Sequence, residues 1–494
     1  MSNHPLLYTS LFRRMTRHFQ TSVSRPPKYN WSKLPSARLL ALFTLVLLLT
    51  SCQFTNSQSS APPQVSGGED WPMYLHDPER SAVSGETFLS PSNAGQLKKL
   101  WAFRTGGVIA ASAAIVGGVV YVGSWDGYEY ALDARTGRMK WKTFLGIDDA
   151  LPDCDPPVLG VSSGAEVQNG IVYVGGGDGY WYALDAKTGK ILWKIFTGNL
   201  AQGHFNWSSP LLYKGYAYIG IASVGSCPNV QGQLLQVSLK THQVVHTLNI
   251  VPDGQVGGGI WGSPAIDPTT NTIYVATGDG GPNQLWAQAL LAVDATTLTV
   301  KSSWTVPPGE TVHGDNDDSD FGTTPRLFQD AAGHPLIAAI NKNGYLYAFN
   351  RNHLAAGPIW RTYIAFAGGE ESSISSGVFG DGRFYQAGGN TLIAGKGYEA
   401  AVRALDPATG KVLWARGITG MGANAIIAPM AYINGVLMFG AGNLFEILDA
   451  ATGAVLYSYD TGNPIYAAPS ISHGQIFFGS TGGNLYSFGL NSPA

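Results

Sequence analysis

The chain has 494 residues, 13% of them charged and 45% hydrophobic, with 63 glycines and an aromatic share of 11%. Charge at about half the usual ~25%, with glycine near twice its usual ~7%, fits a β-rich chain with many tight turns and excludes global disorder. The first 51 residues hold seven Lys and Arg and no acid, leaving 23 Lys and Arg against 33 Asp and Glu, and this acidic body excludes nucleic acid as the main partner. After Arg38 comes an uncharged apolar run, residues 39–51 (LLALFTLVLLLTS). It is shorter than the ~20 residues a membrane helix needs and matches the apolar core of a signal peptide. Residues 53–68 (QFTNSQSSAPPQVSGG) are rich in Ser, Pro and Gln and read as a flexible tether. The chain thus divides into a signal peptide (1–51), a tether (52–69) and a body (70–494).

The body repeats. Residues 120–141 (VYVGSWDGYEYALDARTGRMKW) are nearly copied by 172–193 (VYVGGGDGYWYALDAKTGKILW), and 403–414 (RALDPATGKVLW) gives a third copy. Positions equivalent to the Asp of ALDA fall at 133, 185, 238, 294, 350, 406, 449 and 489, spaced by 40–56 residues. Each unit reads as a small-residue strand, a β-branched strand, a DG turn, an alternating strand, a TG turn and a last strand ending in Trp. That pattern predicts an all-β fold, an eight-bladed β-propeller of four-stranded antiparallel blades. The TG dipeptide supplies the positive φ of a tight hairpin, and the Ala of YALDA and the terminal Trp supply blade-to-blade packing. The eighth unit lacks its outer strand, which residues 97–103 (LKKLWAF) are expected to provide.

Cys52 follows Leu49, Thr50 and Ser51, a spacing that resembles the bacterial lipobox, so Cys52 is the expected lipid attachment site. This anchors a monomer to the extracytoplasmic side of the membrane in a bacterial cell envelope. Cys154 and Cys227 remain, and no CxxC or CxxCH occurs, which excludes zinc ribbons, thioredoxin-like chemistry and covalent haem c. In an exported chain the two are expected to form a disulfide. The string Gly160–Gly164 matches G-x-S-x-G, but no helical period follows it, so a hydrolase elbow is not expected.

The YALDA-x-TG-x-x-x-W unit resembles the pyrroloquinoline quinone (PQQ) repeat. Residues 70–77 (DWPMYLHD) and 89–97 (LSPSNAGQL) are similar to the N-terminal segment of polyvinyl alcohol and other quinoprotein dehydrogenases. Residues 257–268 (GGGIWGSPAIDP) resemble the segment whose Trp, here Trp261, is the floor under PQQ; the residue 18 positions later, Asp279, would coordinate calcium. Residues 317–325 (DDSDFGTTP) resemble the catalytic-base segment, assigning Asp320, and 341–347 (NKNGYLY) the segment whose cation, Lys342, touches the quinone. The resemblance implies oxidation of an alcohol or polyol, with electrons leaving to a separate acceptor. Blade geometry agrees, because loops entering the inner strand and loops between the second and third strands lie on one face, bringing Trp261, Asp279 and Asp320 to one mouth.

The chain departs from the pattern at the family's second calcium carboxylate. Residues 222–228 (ASVGSCP) carry no acid where that Glu should fall, and Glu166 of the family-like string SGAE begins an inner strand of blade 2 instead. The same repeat also occurs in non-catalytic outer-membrane assembly lipoproteins. A propeller scaffold binding envelope proteins therefore stands beside the enzyme reading. Cys154 and Cys227 both fall on mouth-face connections and are expected to meet across blade 2.

Overall fold

The computed structural model describes residues 69–490 apart from 155, 226, 279, 281–283, 311–318, 367–372 and 423–425. Cys52, the signal peptide and almost all of the tether lie outside the described residues, as does Asp279.

Eight sheets follow one another along the chain. Blade 1 is typical: Ala114–Val116 lines the channel, followed outward by Val119–Gly123, Tyr128–Asp133 and Met139–Phe144, all antiparallel. The second and third strands are almost wholly buried, as a strand covered on both faces must be, whereas the outer strand alternates towards solvent. Blade 6 carries an inserted hairpin, Thr391–Ile393 with Lys396–Tyr398, between its second and third strands. The last blade combines Ser470–Ser472, Gln475–Gly479 and Asn484–Gly489 with the N-terminal strand Lys98–Arg104, which pairs antiparallel to Asn484–Gly489. The expected closing strand is thus present, one residue later than its predicted span. Closure of this kind leaves no blade with an open sheet facing its neighbour.

The repeated motif has a mechanical reason. Asp185 Oδ1 accepts the Thr188 N–H at 2.8 Å and the Thr188 hydroxyl at 2.6 Å, and Gly189 completes the turn at φ +73°. Trp141 of the preceding blade donates its indole N–H to Ala186 O at 3.0 Å and lies on Gly189, where a Cβ would come within 2.6 Å of the ring. The same joint recurs from Trp360 to Pro407 O and from Trp414 to Ala450 O. Blade 3 has no TG turn. There His242, at φ 57°, takes the corner and Trp193 stacks on its ring at 4.4 Å.

The segment before the closing strand runs beneath the ring. Trp71 bridges to Ile115 of blade 1, Pro72 O accepts Val167 N of blade 2, Pro78 O accepts Ile266 N of blade 4, and Ala82 O accepts Tyr432 N of blade 7. Val83–Ser84 then pairs parallel to the inner strand of blade 7. Arg80, fully buried, spends its guanidinium on three carbonyls: Pro264 at 2.9 Å, Tyr74 at 2.7 Å and Pro210 at 2.5 Å. One side chain therefore ties the strap to blades 3 and 4 and seals the rear of the channel.

Candidate functional site

Trp261 stands two residues before the Ser263-Pro264 step into the inner strand Ala265–Asp267 of blade 4. The glycine run before it is needed because the backbone is pressed onto blade 3: a Cβ on Gly258 would sit 2.4 Å from Ile250 Cγ2, and one on Gly259 3.1 Å from Ala222 Cβ. The indole spreads towards blade 5 over Gly322, where a Cβ would meet its Cη2 at 2.2 Å. Only glycine leaves that wall flat.

Asp320 and Lys342 meet at the edge of this indole. Lys342 N–H donates to Asp320 O at 3.0 Å, and Lys342 Nζ to Asp320 Oδ2 at 3.1 Å. The ammonium lies 5.5 Å from the Trp261 ring centroid, within cation–π range. Asn341 fixes the pairing from behind, since its Nδ2 donates to Ser319 O at 2.6 Å while its Oδ1 accepts Asn343 N–H at 2.9 Å. Asp320 is 7% exposed, and its Oδ1 is buried without a hydrogen-bond partner. An ionised oxygen left in that state is costly, so this atom is a ready acceptor for an incoming hydroxyl. Trp261 and Asp320, expected at one mouth from sequence, are brought together with Lys342, while Asp279, the third residue expected there, lies outside the described residues.

A planar quinone fits what is present: an indole face to stack on, a cation beside it and a carboxylate oxygen without a hydrogen-bond partner. Calcium does not find comparable support. Among the described residues no group of three His, Cys, Asp or Glu side chains is placed to hold a metal. Asp320 is the carboxylate beside Trp261 and is already paired, whereas calcium takes six to eight oxygens. Glu166 is no substitute: fully buried on its inner strand, it accepts Leu212 N–H at 3.1 Å. Burial, only partly offset by Arg80 and the Leu212 amide, pushes its pKa up to about 8.

Cys154 and Cys227 are joined in a disulfide with Cα atoms 5.6 Å apart, linking the blade 1–2 connection to a blade 3 loop. The bond borders a small apolar cluster of Leu159, Phe205 and Val224, with Trp207 packed on it.

A second feature escaped the sequence reading. The residue two places after each mouth-facing side chain carries a small group, often a hydroxyl, that joins one blade to the next. Gly164 N–H donates to Ser209 Oγ at 2.9 Å, Ser209 N–H to Ser263 Oγ at 3.0 Å, Ser263 N–H to Thr324 Oγ1 at 3.0 Å and Thr324 N–H to Ser376 Oγ at 2.9 Å. Ala468 N–H to Ser112 Oγ at 2.8 Å continues the series across the closure. The recurring SSP, GSP and TTP strings before inner strands were its legible signal. These hydroxyls line a chamber of ≈ 170 Å³ on the propeller axis, with Trp207, Trp261 and Tyr466 on its mouth side and Tyr74 of the strap against it. Burial raises the pKa of the Tyr74 phenol, against the opposing pull of the Thr324 and Ser376 hydroxyls.

Comparison with known proteins agrees with this geometry. The chain is 24% identical over 485 residues to a polyvinylalcohol dehydrogenase of Sphingopyxis sp. (strain 113P3), covering 85% of this chain and 71% of that protein. It is 27% identical over 333 residues to the quinohemoprotein alcohol dehydrogenase of Comamonas testosteroni, covering 58% of this chain and 45% of that protein. The solved structure of the latter superposes with a TM-score of 0.72 at 20% identity, covering 86% of this chain and 81% of that one. BamB from Moraxella catarrhalis superposes with a TM-score of 0.57 at 14% identity, covering 80% and 99%. The family model described as outer membrane protein assembly factor BamB, a PQQ-repeat model, matches residues 67–353 and 398–491, and the chain belongs to that PQQ-repeat propeller family.

Proposed function

We propose that the protein is a PQQ-dependent dehydrogenase of alcohols or polyols, working outside the cytoplasm from a lipid anchor at Cys52. The observation that carries this reading is the Lys342–Asp320 pair at 3.1 Å beside Trp261, with Asp320 Oδ1 buried and unpartnered. The quinone, when bound, supplies a two-electron acceptor that the side chains lack. Trp261 offers the stacking face and Lys342 a cation at its rim. Asp320 Oδ1 accepts the hydrogen bond of the substrate hydroxyl and takes its proton as the alcohol is oxidised. Electrons then pass to a separate acceptor. The Cys154–Cys227 disulfide supports an oxidising compartment.

The test is a titration of PQQ against tryptophan fluorescence, followed by dye-linked alcohol oxidation. Saturable quenching with turnover that Asp320→Asn lowers by about 10²–10⁴-fold is expected for a general base. Full turnover in that variant removes Asp320 from the chemistry. The match to the BamB family model favours a second reading, a non-catalytic envelope scaffold. Absence of any saturable quenching would select it. Fatty-acid labelling lost on Cys52→Ser tests the anchor.

A further inference from the structure

Beneath Trp261 the channel does not fill with side chains. Successive inward positions on each inner strand point the same way, so the chamber is walled by two stacked tiers, one residue per blade in each. The mouth-side tier is apolar or aromatic over most of its circuit, including Trp207, Trp261, Ile374 and Ile427. The rear tier is the hydroxyl series.

The polar lining is unbalanced. Ser112, Ser209 and Ser263 each accept a main-chain N–H through the hydroxyl oxygen, which leaves their O–H hydrogens for the chamber. Ser162, the serine of the G-x-S-x-G string, also lines it, 8% exposed and with its hydroxyl buried without any partner. Among the described residues no Asp or Glu lines the chamber.

Behind the wall lie two buried guanidinium groups and one carboxylate, Asp77, which acts electrostatically on both of them. Arg326, one inward step beyond Thr324, is 1% exposed; its Nε donates to Gly377 O at 2.7 Å while Nη1 and Nη2 have no partner. Both Arg326 and the buried Arg80 act electrostatically on Tyr74, which lines the chamber. Glu166, which sits nearest to Arg80 in charge, is held largely neutral at pH 7 by its burial.

We infer that this chamber beneath the Trp261 floor binds a small anion, a halide or a simple carboxylate, on the donated hydroxyls of Ser112, Ser162, Ser209 and Ser263. The space of ≈ 170 Å³ holds about five water-sized groups, enough for such an anion with its residual water and too little for a larger ligand. With Asp77 facing two buried guanidinium groups, an anion here balances the remaining positive charge, and it locks four blades to one centre. The inference does not rest on the quinone reading, because the chamber lies behind the indole and not on its mouth side.

Two measurements without quinone test it. Crystals of the full protein soaked in sodium bromide are expected to show an anomalous peak within hydrogen-bond distance of the Ser209 and Ser263 hydroxyls. In solution, bromide titrated at constant ionic strength against sodium HEPES, whose anion exceeds the chamber, is expected to raise Tm saturably. Ser162→Ala leaves every inter-blade bond intact and is expected to weaken that response about tenfold, the worth of one charge-assisted hydrogen bond. A chamber holding only water in the soaked crystals, or a Tm response that Ser162→Ala leaves unchanged, overturns the inference. Failure of the PQQ titration would leave both outcomes standing.

Discussion

Trp101 donates its indole N–H to Ala134 O across 2.9 Å, so a residue of the N-terminal strand makes the joint that closes blade 8 onto blade 1. Its ring covers Gly137, where a Cβ would lie 2.7 Å from the indole. Every other Trp joint connects blades adjacent in sequence. This one joins the two ends of the ring, beside the main-chain ladder between Lys98–Arg104 and Asn484–Gly489.

Trp101→Ala is accordingly expected to lower stability by about 2 kcal/mol, below the ~3–5 kcal/mol for a fully buried aromatic because the indole is only partly buried. Trp101→Phe keeps much of the packing but loses the N–H bond, at about 1 kcal/mol. Urea unfolding followed by circular dichroism measures both. Equal stability of Trp101→Ala and wild type would show that the Trp101 joint adds nothing to closure beyond the main-chain pairing of its strand.

The Lys342–Asp320 pair predicts a sign reversal. Both side chains are nearly buried, at 15% and 10% exposure, so removing the cation alone strands a carboxylate. Lys342→Met should cost about 3 kcal/mol, whereas Lys342→Met with Asp320→Asn should recover most of that loss. A double-mutant cycle by chemical denaturation reads the coupling. A double variant no more stable than Lys342→Met would mean that the two side chains are not coupled.

Stability should fall as pH rises from about 4.5. Glu129 is fully buried where other blades place Trp181 or Phe445, and neither of its oxygens has a partner. Burial holds its pKa well above the ordinary carboxyl value, as it holds that of Glu166 at about 8. A folded-state pKa above the unfolded one means that the native state carries the extra proton in that window. Stability is therefore present in full below the unfolded value and is lost with rising pH, by up to about 1.4 kcal/mol per pH unit for each group. Glu129→Leu should flatten Tm between pH 5 and 8 and raise it most at the alkaline end. A variant whose Tm tracks wild type across that range would count against a buried, protonated Glu129.

Reducing the Cys154–Cys227 disulfide opens a loop of 73 residues and should cost roughly 4 kcal/mol on the chain-entropy argument. Melting with and without reductant, against Cys154→Ser, separates this from effects of the reductant elsewhere. Identical melting curves would make the bond energetically silent.

The blade motif was legible because each part of YALDA-x-TG-x-x-x-W does one local job, repeated in full in blades 1, 2, 6 and 7: an Asp that ties its turn, a Gly that accepts a positive φ, a Trp of the preceding blade that covers that Gly. Trp261, Asp320 and Lys342 were legible from the segments around them, and blade geometry brought Trp261 and Asp320 to one mouth. The strap was not, because Arg80 bonds only main-chain carbonyls, one 6 positions away and two 130 and 184 positions away, which leave no trace in side-chain identity. The hydroxyl tier was half-visible. Its serines read as small strand residues until the neighbouring blade supplied the amide that each one accepts. Glu129 was invisible for the opposite reason: it occupies an apolar position of a repeat whose pattern it breaks.

Gly322 gives the sharpest test of the indole as a platform. Its backbone is not in the left-handed region, so alanine costs nothing in φ and acts only through space. The added Cβ would lie 2.2 Å from Trp261 Cη2 and 2.4 Å from Cζ2, and 2.6 Å from Ile374 Cγ2, so the indole has to tilt or slide. A tilt breaks the parallel contact that stacking on a planar ligand needs and moves the ring relative to Lys342 Nζ. Gly322→Ala is expected to weaken PQQ quenching of tryptophan fluorescence about tenfold or more. Overpacking here should cost about 1–3 kcal/mol of stability, leaving the propeller folded. Circular dichroism checks the fold in the same samples. Undiminished quenching in a folded Gly322→Ala protein would remove Trp261 as the surface on which the quinone lies.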